Sequence, residues 1–104
     1  MTIELLFFDG CPSHELLLPR LRSLISEIRP GARIELRRIE SPETAEAERF
    51  LGSPTVRVDG TDVEPGADGR LDFGLKCRLF RTEDGASPTP PDDWLRAALE
   101  HGAG

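Results

Sequence analysis

The chain is short of cysteine, of net positive charge and of long apolar runs, and each shortage excludes a class of protein. Two cysteines, Cys11 and Cys77, are too few for the disulfide framework of a small secreted domain. The net charge is −6 and the basic residues are scattered, which argues against a nucleic-acid-binding surface. The sequence also shows no glycine-rich phosphate loop, no spaced acid pair for hydrolysis and no zinc motif.

No apolar run approaches the roughly 20 residues that a membrane span requires. The first apolar run contains Glu4 and has no basic leader before it, so we expect no signal peptide. A cytoplasmic protein with reduced thiols is the resulting expectation. The 104 residues, 38% apolar and 31% charged, predict one compact globular domain over residues 1–104.

The first half of the chain alternates strand and helix patterns. Residues 3–8 are nearly all apolar, as in a central strand covered on both faces. Apolar residues at helical spacing predict a helix over residues 12–28, and the alternation over residues 33–39 predicts a second strand. That strand should lie parallel to the first because a helix connects them. A short second helix should follow, with Ser41 as its cap and Pro42 at its first position.

The second half predicts two more strands and a final helix. Residues 55–58 form the third strand, and residues 61–72 are a polar loop to which the sequence gives no role. Residues 75–80 should form a fourth strand antiparallel to the third. The last helix spans residues 92–100 and should stop at Gly102. The fold class is therefore α/β, with a four-stranded mixed sheet flanked by three helices.

Two local features carry chemistry. Cys11 stands where a strand meets a helix, and helix N–H groups and the helix dipole favour a thiolate there. Pro54 opens the third strand, where proline cannot donate to the ladder and often has a cis peptide bond. The alternatives are an inert, partly buried thiol at Cys11 and an ordinary trans proline at Pro54.

Together with Pro19, which should kink the first helix, these features resemble the thioredoxin superfamily. The nearest resemblance is to small bacterial thioredoxin-like proteins with a Gly-Cys-Pro motif, some of them labelled alkylmercury lyase-like. The resemblance implies a thioredoxin-like fold, thiol–disulfide oxidoreductase activity, Cys11 as the catalytic thiol and a cis Pro54 facing it. It also implies that Ser53, Pro54 and Thr55 bind an extended peptide or another thiol substrate.

The chain departs from that family at the position three residues after Cys11, where His14 stands in place of a resolving cysteine. We therefore expect a monothiol cycle in which glutathione or another low-molecular-weight thiol is the co-substrate. No other cofactor is expected. His14 is either a proton donor to the leaving thiol or an exposed polar residue of the first helical turn.

Cys77 is not expected to replace the missing cysteine. In the predicted sheet the third strand separates it from Cys11 by about 10 Å, whereas a disulfide needs Cα atoms within about 7 Å. Its alternation with Leu75 and Leu79 predicts a core position, and the same separation argues against a two-cysteine metal site. Arg78 and Arg81, nearby, either attract an anionic thiol such as glutathione or pair with carboxylates.

Three functions stay open at this point. The first is a monothiol redox enzyme, and the second is a non-catalytic binding module that holds a partner's peptide in the groove around Pro54. The third is a protein that binds a soft metal, mercury or copper, through the single thiol of Cys11. The sequence does not fix the substrate, the reducing partner or the oligomeric state.

Overall fold

The computed structural model describes residues 1–101 and shows a mixed four-stranded sheet. Its strands are β1 (Thr2–Phe7), β2 (Arg33–Arg38), β3 (Thr55–Val58) and β4 (Thr61–Asp62), arranged in the order β2-β1-β3-β4. Strand β2 is parallel to β1, β3 is antiparallel to β1, and β4 is antiparallel to β3. The predicted α/β class with a four-stranded mixed sheet is confirmed.

Three α-helices accompany the sheet: α1 (Ser13–Ile28), α2 (Pro42–Ala47) and α3 (Asp92–His101). The predicted cap of α2 is confirmed, because the Ser41 hydroxyl accepts a hydrogen bond from the Thr44 N–H at 3.1 Å. The predicted stop of α3 at Gly102 lies outside the described residues. Among the helices within residues 1–101, none is both long enough and apolar enough to cross a membrane.

Adjacent residues of β1 serve two cores, one on each face of the sheet. Leu5 is fully buried with side chains of α1 and α3, whereas Leu6 is fully buried with Ala45 of α2 and with Phe50. Successive side chains of a strand point to opposite faces, so helices cover both faces of β1, as the apolar run predicts. The larger core contains Ile3, Leu5, Leu17, Leu21, Leu24, Ile25, Val56, Val58, Val63, Leu95 and Leu99.

The predicted fourth strand is wrong. The chain turns back immediately after β3, and β4 pairs with it through Arg57 opposite Asp62. Because β4 takes the place beside β3, residues 75–79 do not join the sheet. Strand β5 (Phe80–Thr82) pairs instead with β6 (Gly85–Ser87) in a separate two-stranded hairpin. The segment predicted as a polar loop thus supplies the fourth strand.

Helix α1 offers a matched pair of leucines that tests this packing. Leu21 is fully buried in the larger core, whereas Leu16 of the same helix is 69% exposed. We expect Leu21→Ala to lower the free energy of unfolding by about 2–5 kcal/mol, because it removes buried methyl groups and leaves a cavity. Leu16→Ala should change it by less than about 0.5 kcal/mol. Urea unfolding followed by circular dichroism measures both values, and equal costs would contradict the described orientation of α1.

Candidate redox site

The two cysteines form a disulfide although 66 residues separate them in sequence. The Cα atoms of Cys11 and Cys77 are 5.6 Å apart, within the range of ordinary disulfides. The expectation that Cys77 is too distant from Cys11 is therefore wrong. Cys77 does not lie on a strand beyond β3. Instead it forms a parallel bridge with Ser53, two residues before β3, and the Ser53 carbonyl oxygen lies 3.7 Å from the Cys11 Sγ.

Residues 75–79, called here the Cys77 segment, are held against the backbone of Ser53. The Ser53 N–H donates to the Lys76 carbonyl oxygen at 2.8 Å, and the Arg78 N–H donates to the Ser53 carbonyl oxygen at 2.9 Å. Gly52 permits this approach: its φ is 121°, and a Cβ atom there would lie 2.9 Å from the Lys76 carbonyl oxygen. Any other residue at position 52 would push the segment away.

Buried and exposed side chains alternate over residues 77–80, but Cys77, which was predicted to point into the core, is exposed. Arg78 and Phe80 are buried, whereas Cys77 and Leu79 are exposed. The predicted core position of Cys77 is therefore wrong, because the arginine takes the inward position. Cys11 is the covered member of the pair, with 1% of its surface accessible. An outside thiol therefore meets the disulfide at Cys77.

Cys11 directly precedes Pro12, the N-cap of α1. Its Sγ lies 3.4 Å from the Ser13 hydroxyl oxygen and 3.7 Å from the Ser53 carbonyl oxygen. The dipole of α1 and the Ser13 hydroxyl, which can donate to sulfur, both favour a thiolate at Cys11. The negative charge of Asp9 opposes a thiolate only weakly, because its Oδ1 lies 3.3 Å from the Nε of Arg38 and its charge is partly compensated. Sequence reasoning missed Ser13, although its position at the head of the helix was visible.

His14 contacts the backbone of Cys11. Its Nδ1 lies 3.2 Å from the Cys11 carbonyl oxygen, and the ring stacks on Phe7 with centroids 4.1 Å apart. A carbonyl oxygen only accepts, so Nδ1 carries the hydrogen and donates. These contacts fix the ring on the first turn of α1, beside the disulfide.

Ser53, Pro54 and Thr55 are all buried next to the Cys77 segment. The predicted cis peptide bond between Ser53 and Pro54 is confirmed. Both backbone groups of Ser53 are bonded to the Cys77 segment, and the Thr55 hydroxyl donates to the Gly52 carbonyl oxygen at 2.6 Å. The three residues predicted to bind an extended substrate thus face a segment of the chain itself.

Arg78 pairs with carboxylates, which was one of the two roles that the sequence suggested for it. Its guanidinium is fully buried and donates to both carboxylate oxygens of Asp62, at 2.8 and 3.0 Å. Glu64 lies 3.3 Å from the same guanidinium. Sequence reasoning missed both acidic partners because they belong to the segment interpreted as a solvated loop. Arg81 is exposed.

Further ion pairs link residues of the loop before the Cys77 segment to one another and to Lys76 of that segment. Arg70 bonds to Glu64 at 2.9 Å and to Asp72 at 2.6 Å, and Lys76 bonds to Asp72 at 2.9 Å. The hydrogen bonds from Arg70 and then from Lys76 lower the pKa of Asp72, so that its carboxylate stays charged well below neutral pH. Since Asp72 and its two partners are substantially exposed, each pair contributes only about 0–1 kcal/mol.

The chain matches no family model, and no curated protein and no solved structure is significantly similar to it. The chemistry of Cys11, Cys77 and their neighbours is therefore the basis for assigning a function.

Gly52 provides a test of the close approach. Gly52→Ala should lower the free energy of unfolding by about 3 kcal/mol or more, since it adds a clash with the Lys76 carbonyl to the strain of a positive φ, which alone costs about 1–3 kcal/mol. Gly85 is the matched control, because its φ is 115° and a Cβ there would meet nothing within 4 Å. Gly85→Ala should show the strain alone. Denaturant unfolding of the two oxidised variants gives the comparison, and a larger loss in Gly85→Ala would refute the contact.

Proposed function

We propose that the protein is a thioredoxin-like thiol–disulfide oxidoreductase whose redox pair is Cys11 and Cys77. One observation carries the proposal: a disulfide joins Cys11, a covered residue at the start of α1, to Cys77, an exposed residue on an irregular segment. The strand order β2-β1-β3-β4 and the cis Pro54 beside Cys11 support the thioredoxin-like part of the proposal.

Reduction of the pair begins at Cys77. A thiolate attacks the Cys77 Sγ, the bond between the two sulfurs breaks, and Cys11 leaves as a thiolate with the electron pair. A second thiolate then attacks the outer sulfur of the mixed disulfide on Cys77. It releases a disulfide of the two outside thiols, and Cys77 leaves as a thiolate. Two thiols have then been oxidised, and the protein has gained two electrons.

Oxidation reverses these steps. The exposed Cys77 thiolate attacks a target disulfide, one target sulfur leaves as a thiolate and takes a proton from water, and a mixed disulfide remains on Cys77. Cys11 then attacks the Cys77 Sγ and displaces the second target sulfur. The intramolecular pair is formed again, and the target disulfide has become two thiols.

The two cysteines have different roles because their surroundings differ. Cys77 is exposed and Cys11 is covered, so the outside sulfur bonds to Cys77. The start of α1 and the Ser13 hydroxyl stabilise the Cys11 thiolate, and a more stable thiolate leaves faster. His14 orients the first turn through the Cys11 carbonyl and, from that place, can supply a proton near the site.

The co-substrates in this proposal are the ones the sequence suggested. Glutathione or another low-molecular-weight thiol reduces the pair, and the disulfide of a small molecule or of a partner's extended peptide is the target. We propose a cytoplasmic location, where disulfides are chiefly transient and either catalytic or redox-sensing.

Single cysteine variants separate this two-thiol cycle from a monothiol cycle. We expect both Cys77→Ser and Cys11→Ser to lose at least about 90% of the glutathione-coupled disulfide reduction rate, because neither can close the intramolecular disulfide. Mass spectrometry after glutathione disulfide treatment should show rapid glutathionylation of Cys77 in Cys11→Ser. Reaction of Cys11 in Cys77→Ser should be slower, since that sulfur is covered.

If Cys77→Ser kept wild-type activity, the two-thiol cycle would be wrong and the monothiol cycle of Cys11 would be supported instead. A wild-type protein without turnover, and with no exchange at either sulfur, would overturn the redox proposal entirely.

A soft-metal site is the second candidate, and the position of Cys77 favours it. In the disulfide-bonded structure the two Cα atoms are 5.6 Å apart, and if reduction leaves them close together, both thiols can bind one Cu⁺ or Hg²⁺ ion. We expect the reduced protein to bind one Cu⁺ per chain in competition with a chromophoric chelator, and either serine variant to weaken binding at least about tenfold. Equal affinity in the wild type and in Cys77→Ser would leave a site that uses Cys11 alone.

The non-catalytic binding module gains no support from the groove around Pro54. The Cys77 segment already occupies the backbone of Ser53 there.

A further inference from the structure

The position of Cys77 does not depend on the disulfide alone. The Cys77 segment lies outside the four-stranded sheet and forms one isolated bridge, at Cys77 itself. Two backbone hydrogen bonds flank that bridge, one from the Ser53 N–H to Lys76 and one from the Arg78 N–H to Ser53. Neither bond involves a sulfur atom, so both can persist when the disulfide is broken.

Apart from the disulfide, the Arg78 side chain is the most extensive attachment of the segment to the rest of the chain. It is fully buried and donates to the Thr55 hydroxyl at 3.0 Å as well as to both oxygens of Asp62. The guanidinium carbon also lies 4.6 Å from the centre of the Phe80 ring. Withdrawal of Arg78 from this site would break these three hydrogen bonds and leave the largely covered carboxylate of Asp62 without its partner, which is costly.

The partners of Arg78 are themselves fixed by the sheet. Asp62 belongs to β4 and lies opposite Arg57 of β3, and its Oδ1 also accepts the Glu64 N–H at 2.9 Å. Thr55 is the first residue of β3. The site that receives the guanidinium is therefore built from two strands, independently of the oxidation state of Cys11.

We infer that Arg78 is a positioning residue for the redox reaction: it holds Cys77 beside Cys11 in the reduced protein. This inference rests on the proposed redox pair. With Arg78 in place, Cys11 and Cys77 stay close together, and closure of the disulfide needs little loss of chain entropy. Without it, the tether between the cysteines would give only the millimolar effective concentrations of a flexible link.

The ion pairs of Arg70 and Lys76 cannot replace Arg78. They join Glu64, Asp72 and the segment at partly exposed positions, where such pairs are weak. Arg78 alone, among the arginines that hold this loop, places its charge in a fully buried site.

The test is the equilibrium between the protein and glutathione. We expect Arg78→Met to lower the equilibrium constant for forming the Cys11–Cys77 disulfide at least about tenfold, which raises its reduction potential by about 30 mV. Arg78→Lys should give a smaller shift, because it keeps the charge but loses the two-pronged bond to Asp62. Arg81→Met is the matched control, since Arg81 is exposed on β5, and it should leave the constant unchanged.

Asp62→Asn covers the case in which Arg78→Met does not fold, and it should also lower the constant. Amide exchange of the reduced wild type gives an independent measure: the N–H groups of Ser53 and Arg78 should stay protected. Unprotected exchange at both amides, or a wild-type constant in the Arg78→Met variant, would overturn the positioning role.

The outcome is separable from that of the proposed function. A wild-type protein that neither forms nor exchanges the disulfide defeats the redox proposal. Normal exchange in the wild type together with an unchanged constant in Arg78→Met defeats only the role of Arg78.

Discussion

A buried arginine holds the Cys77 segment, residues 75–79, against the sheet. Arg78 is drawn inward by Asp62 and Glu64, and the backbone on either side of Cys77 is then bonded to Ser53. Relative to apolar side chains of similar volume such ion pairs gain little stability, because desolvation offsets most of the attraction, but separating the two partners is costly. Their effect here is to hold the irregular Cys77 segment in one place. Cys77 then lies next to Cys11 at the start of α1.

The disulfide is asymmetric because of the same alternation. Burial of Arg78 turns Cys77 outward, while Cys11 is covered and lies at a helix start that favours its thiolate. An accessible cysteine at which a thiol can attack and a stabilised leaving thiolate both favour thiol exchange. Gly52 completes the arrangement because only a residue without a side chain lets Lys76 approach so closely. The proposed oxidoreductase activity and the proposed soft-metal site both depend on this one juxtaposition.

Local patterns predicted most of the elements from β1 to β3. Helix α1, strands β1, β2 and β3, and the cap of α2 follow from apolar spacing and from the preferences of serine and proline at helix starts. The cis bond at Pro54 was also predicted, and Cys11 was placed correctly before α1. The cis bond rested on the family resemblance, whereas the other features depend on residues close together in sequence, where propensity and periodicity carry information.

The sequence by itself determined the mixed α/β fold, the place of Cys11 and the nature of Pro54. Only the tertiary structure decided the place of Cys77. In residues 75–79 every second residue is apolar or cysteine, so the pattern favours an inward Cys77, and the buried arginine contradicts it. Whether Arg78 can be buried depends on Asp62 and Glu64, which lie 16 and 14 residues earlier in an apparently solvated loop. An ion pair between residues this far apart in sequence leaves no periodic pattern, so Arg78 and Asp62 can be matched only when the pairing of β3 with β4 is known.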